Sequence, residues 1–223
     1  MAYYYSNGNG GGRGGFLSSV PPVTRNIIII NIIMFAATWL SETVFNSTVF
    51  GKYLALWYPS EGLPFRIWQP LTYMFMHGGF WHIFFNMYTL WMFGGVVERM
   101  IGQRKYLAFY LLCGLGAAAC HLGVMSATGD IYHRTVGASG AIYGLLIAFA
   151  MLFPESRLTL LFPPVSLSAK WMVVIFAGIE LLTGITGTAD GVAHFAHLGG
   201  MLVGFLLILW WRRRGTLFDR RDL

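Results

Sequence analysis

The sequence predicts an all-α polytopic membrane protein, a bundle of six transmembrane helices with an interfacial loop between the first and second. Three observations predict it. Hydrophobic residues make up 56% of the 223 and charged ones only 11%, whereas soluble chains carry about 25% charged residues. Six apolar stretches approach the ~20 residues needed to cross ~30 Å of hydrocarbon. The basic residues also fall almost wholly on one side of the alternation that these stretches define.

The chain begins with residues 1–22, rich in Gly, Ser, Asn and Tyr and without apolar periodicity, which read as a flexible cytoplasmic tail. No basic-then-apolar start with a cleavage site is evident, so a removable signal peptide is not expected. Residues 23–212 form the membrane domain, with spans expected near 27–44, 79–101, 106–127, 137–153, 170–187 and 192–211. Residues 213–223 form a basic cytoplasmic tail. The long segment 45–77 carries Trp57, Tyr58, Phe65 and Trp68, aromatics suited to a loop embedded in the interfacial zone. Cys113 and Cys120 share one apolar span and are read as packing thiols.

With the N-terminus inside, only Lys52, Arg66 and Arg134 of the 15 Lys and Arg residues fall outside. This positive-inside bias puts both termini in the cytoplasm. It also accounts for the formal charge of +6 without a nucleic-acid partner. The second, fourth and sixth spans then run from outside to inside. His82 and Asn86, Ser139, and His197 stand near the starts of these three spans, at similar depth in the outer part of the bilayer.

The fourth span is short and stops at Pro154, so a start at Ser139 lies below the outer surface. A helix can begin there only under protein or a water-filled hollow. Free N–H groups and the dipole at that terminus suit a developing oxyanion. A neutral imidazole at His197 can take the Ser139 proton and return it to a leaving amine. Gly200 and Gly204 would let the sixth span approach the fourth. His82 and Asn86, four apart and on one face, can join the Ser139 N–H in an oxyanion hole.

Each motif has a structural alternative: Gly137, Ser139, Gly140 and Gly144 as a close-packing face, and His197, His82 and Asn86 as interhelical contacts. No carboxylate is well placed behind His197, with Asp190 in a loop and Glu180 in mid-span, so a Ser–His dyad is expected. A metal or transport site built on His77, His82, His121, His194 and His197 lacks a carboxylate or cysteine to complete it. No metal and no cofactor are therefore expected.

These residues resemble the rhomboid family of intramembrane serine proteases over about residues 68–211. The resemblance rests on Gly137-Ala138-Ser139-Gly140 with Tyr143, and Ala196-His197-Leu198-Gly199-Gly200 with Gly204. It also includes His82 with Asn86, and Gly94-Gly95-Val96-Val97-Glu98 with Gly102. It implies a six-span core of bacterial inner-membrane type, opening to the outer side, that cleaves transmembrane protein substrates in the lipid bilayer. Ser139 would be the nucleophile, His197 the base, and His82, Asn86 and the Ser139 N–H the oxyanion donors. Tyr143 would pack on His197 and line the substrate pocket. His77 would shape and hydrate the cavity, and Gly200 would be the close-packing glycine. A mobile fifth span and cap loop, near 171–176 and 186–193, would govern substrate entry. Trp68-Gln69 departs from the Trp-Arg common in the family, which bears on loop anchoring. Inactive relatives lack the serine or the histidine, and this chain keeps both.

Overall fold

The computed structural model describes residues 19–159, 165–186 and 191–218; most of the N-terminal tail, residues 219–223 of the basic tail and the centre of the cap loop lie outside them. Helix α1 (Pro22–Thr43) starts on a proline, whose missing N–H has no acceptor to lose at a first position. It begins five residues before the expected span, because its polar first turn is satisfied from elsewhere. The Glu98 carboxylate accepts the Val23 N–H at 3.0 Å, and the Thr24 N–H and hydroxyl each at 2.7 Å. Glu98 is buried, and its charge faces the positive end of the α1 dipole. Glu98→Ala leaves these donors bare, with an expected loss of about 3 kcal/mol. Thermal unfolding in detergent checks this; an unshifted midpoint would show the contact to be idle.

The segment after α1 carries two short helices, α2 (Val49–Leu54) and α3 (Gln69–Thr72), and a 3₁₀ turn at Tyr73–Phe75. Gln69 anchors it. The side chain is fully buried; its Nε2 donates to the Pro64 and Lys52 carbonyls at 2.9 and 3.2 Å, and its Oε1 accepts the Trp57 N–H at 3.2 Å. A neutral amide donates and accepts at once, which an arginine there could not do. The loop also reaches the segment before Ser139. Leu56 and Thr135 exchange two backbone hydrogen bonds of 2.9 Å.

The second expected span is helical but not uniform. α4 (Phe80–Thr89) passes through a π-helical turn at Leu90–Gly94 into α5 (Gly95–Ile101). Its Phe80, Trp81, Phe84, Phe85 and Tyr88 are exposed, as befits a face against lipid. α6 (Gln103–Thr128) and α7 (Ser139–Leu152) follow. A short antiparallel hairpin, β1 (Arg157–Thr159) with β2 (Ser166–Ser168), not expected from the sequence, leads into α8 (Ala169–Thr186). α9 (Gly191–Arg213) closes the bundle.

Among the described residues, α1, α6, α8 and residues 193–213 of α9 are long and apolar enough to cross a membrane. The chain is an integral multi-pass membrane protein of helical-bundle architecture.

α9 packs most closely, and glycines make this possible. A Cβ on Gly200 would run into the Gly140 carbonyl, and one on Gly204 would come within 2.9 Å of the Gly144 Cα. On the other flank, a Cβ at Gly199 would lie 2.9 Å from the Gly116 carbonyl of α6. The α6–α9–α7 arrangement thus brings backbones together, a way of packing apolar helices where lipid supplies no hydrophobic drive.

Candidate active site

Ser139 is the first residue of α7, and the first N–H groups of a helix lack intrahelical acceptors. At 14 residues, α7 is about 21 Å long, shorter than ~30 Å of hydrocarbon. The approach to it needs a glycine: Gly137 has φ +133°, and a Cβ there would sit 2.9 Å from His82 Nε2. The Gly137 N–H donates to the Tyr73 carbonyl at 2.9 Å, and the Tyr73 hydroxyl donates to the Gly114 carbonyl at 2.7 Å, which fixes this turn on α6.

The glycine contact between α7 and α9 brings the two polar groups together. His197 Nε2 lies 2.9 Å from Ser139 Oγ, across 58 residues of sequence. The Tyr143 ring stacks flat on the His197 ring, centroids 4.3 Å apart and planes 9° from parallel. A cavity of about 260 Å³ opens over the pair, lined among others by His82, Gly137, Gly140 and His194.

His82 Nδ1 accepts the Gly78 N–H at 3.4 Å, which leaves Nε2 to carry the proton and donate on the Gly137 side. Asn86 is buried one turn along α4, with no partner for its Nδ2, but it is not among the residues that line the cavity. His77 is not itself in the lining of this cavity but packs on His82, which is. His77 sits edge-on to His82 at 5.0 Å and lines a different hollow, beside Thr38 and Glu42 of α1. It stands in the loop before α4, where burial, and then the neighbouring His82, push its pKa down to about 3.

The expectation of an isolated pair is also corrected. Glu180 of α8 is buried beside the imidazole, its Oε2 3.0 Å from His197 Nδ1. Nδ1 is itself buried and lies off the axis of a well-aligned hydrogen bond. The same Oε2 lies 2.6 Å from His194 Nδ1, and the Tyr143 hydroxyl donates to Oε1. The sequence did hold the signal: Glu180 is the sole acidic residue in the apolar α8, and an intramembrane ionisable residue marks function by default. What hid it was distance along the chain, since only packing shows that α8 meets α9 at this level. His121 pairs with the hydroxyl of Thr135, a residue of the cavity lining, and is not itself part of that lining. Glu180 also supplies the carboxylate that a metal site was expected to lack: its carboxylate, His194 and His197 place one ligand atom each within 4.8 Å of one another.

Residues 64–214 match the family model described as "Rhomboid domain". The chain is 33% identical over 155 residues to the presenilin-associated rhomboid-like protein, mitochondrial, of Bos taurus, covering 64% of this chain and 39% of that protein. It is 31% identical over 133 residues to rhomboid protein 1, mitochondrial, of Saccharomyces cerevisiae, covering 59% and 38%. It is 27% identical over 194 residues to rhomboid protease GlpG of Pectobacterium atrosepticum, covering 85% and 62%. The chain thus spans about two-fifths of the length of the mitochondrial relatives, and its similarity is not confined to a bacterial type.

Proposed function

The chain belongs to the rhomboid family, and from that premise we propose that it is an intramembrane serine endopeptidase that hydrolyses peptide bonds in or near transmembrane segments of other proteins. The observation that carries the reading is the 2.9 Å contact between Ser139 Oγ and His197 Nε2 at the foot of a cavity.

In this mechanism a substrate helix unwinds locally, because the amides of an intact helix are shielded by its own turns. Ser139 Oγ attacks the carbonyl carbon as His197 Nε2 takes its proton. The oxyanion is held by the Ser139 N–H and by His82 Nε2, with Asn86 Nδ2, an unpaired buried donor, available from the same helix. His197 then hands the proton to the leaving amine, and water from the cavity resolves the acyl-enzyme. Glu180 acts as a positioning residue. Facing Nδ1, it favours the tautomer that leaves a lone pair on Nε2, and it stabilises the imidazolium as that forms. Tyr143, stacked on His197 behind the residues that line the cavity, keeps the imidazole from turning.

Residues 23–212 constitute the protease domain in this reading. The positive-inside bias supports a site that opens opposite the basic termini. The test is covalent: a fluorophosphonate probe labels the wild-type chain in detergent once, and Ser139→Ala removes the label. Labelling that persists in Ser139→Ala overturns the assignment of the nucleophile.

A further inference from the structure

His194 has no part in that mechanism, yet it shares a carboxylate oxygen with the base. We propose that His194, Glu180 and His197 form a divalent-cation site, fitted to Zn²⁺, whose occupation switches the protease off. The binding stands on the side-chain cluster alone, while the inhibition rests on the reading of His197 as the base.

Two imidazoles and a carboxylate are a common zinc donor set, with a fourth position left for water. His194 and His197 are three apart on α9 and so share a face. Both present Nδ1 to the same Glu180 oxygen, at 2.6 and 3.0 Å. Ligand atoms around a tetrahedral zinc with bonds of about 2.1 Å stand roughly 3.4 Å apart. The two contacts to the Glu180 oxygen therefore need to lengthen by about 0.8 and 0.4 Å as the cation takes the place of the protons between them. His197 Nδ1 is buried and has no well-aligned hydrogen bond of its own, so a cation would not displace a satisfied contact at that nitrogen. The Tyr143 hydroxyl on Oε1 supplies the outer-shell bond that orients a ligating carboxylate. The cavity over Ser139 is lined by both histidines and provides the way in.

The inhibition follows from proton placement. In the active tautomer, Nδ1 carries the proton and Nε2 offers a lone pair to the Ser139 hydroxyl. A cation on Nδ1 takes that nitrogen's lone pair, and the ring proton then resides on Nε2. Nε2 becomes a donor toward Ser139 Oγ and has nothing with which to accept the serine proton. The only bonds that change are N–H bonds: each ligating Nδ1 gives its proton to water, each ring is reprotonated at Nε2, and the reverse exchange restores activity when the cation leaves.

The test uses the full chain in detergent micelles. Co²⁺ added to Ser139→Ala should give the intense visible absorption of a tetrahedral complex at one equivalent and lose it to Zn²⁺. His194→Gln and Glu180→Gln, each introduced on top of Ser139→Ala, should both abolish that spectrum. In the serine-containing chain, Zn²⁺ should inhibit reporter cleavage and EDTA should restore it. His194→Gln should raise the inhibitory Zn²⁺ concentration at least about tenfold, each variant being compared with its own zinc-free rate. A thermal melt shows which variants are folded, and either one suffices. A Co²⁺ spectrum that does not form, or that survives in a folded variant, overturns the site. A chain that shows the spectrum but never cleaves a reporter would instead overturn the protease reading.

Discussion

Ser139→Ala and His197→Ala are each expected to reduce cleavage of a transmembrane reporter by about 10⁴- to 10⁶-fold, and the double variant to lose no more than either alone. The two side chains act as one unit: without the imidazole the hydroxyl keeps its proton, and without the hydroxyl the imidazole has nothing to activate. Neither change should disturb the fold. Ser139 contributes backbone N–H groups to the site, and alanine keeps them. The bundle is set by glycine contacts that neither side chain makes. Single-turnover cleavage of a detergent-solubilised reporter, paired with a thermal melt, reads both quantities. A folded Ser139→Ala that cuts at more than a few per cent of the wild-type rate would remove the nucleophile from the mechanism.

The second large effect is that of Glu180→Gln. In a well-aligned triad the equivalent acid-to-amide change costs about 10⁴-fold in kcat, because the amide can hold the wrong tautomer. Here Nδ1 lies off the hydrogen-bond axis, so a smaller loss of about 10²-fold in kcat is expected, with KM little changed. Fluorophosphonate labelling of Ser139 should slow in parallel, since it draws on the same activated hydroxyl. Glu180→Asp should recover part of the rate, because it keeps a carboxylate near the ring. A residue that only braced α8 against α9 would change the melting midpoint and leave the labelling rate as it was. Unchanged kcat in Glu180→Gln would return the chemistry to Ser139 and His197 alone.

Legibility differed from residue to residue for physical reasons. The closest helix contacts were readable because a glycine stripe leaves a mark in the sequence: Gly200 and Gly204 follow His197 at fixed helical offsets, and their backbones do approach Gly140 and Gly144. The short fourth helix was readable from the proline that ends it. Glu98 appeared only as one letter of a motif. Its work, holding the start of α1 from 74 residues away, depends on where two chain segments meet in space. Gln69 looked like a departure, and its burial turns it into the hub of the loop. The hairpin between α7 and α8 went unread because its short strands carry no periodic apolar pattern long enough to signal them.

The sequence by itself determined that the chain is a helical, multi-pass membrane protein. Hydropathy and charge bias act locally, through the transfer of each stretch between water and lipid. It also named Ser139 and His197 as candidates, since polar side chains within apolar spans are costly and therefore informative. Only the tertiary structure decided which of these groups meet. It placed His77 against His82 rather than in the cavity lining, and it set Glu180 and His194 against Nδ1 of His197. The meeting of Glu180 with the two histidines depends on the rotation of α8 against α9, which is set by side-chain packing between helices and leaves no periodic trace along the chain.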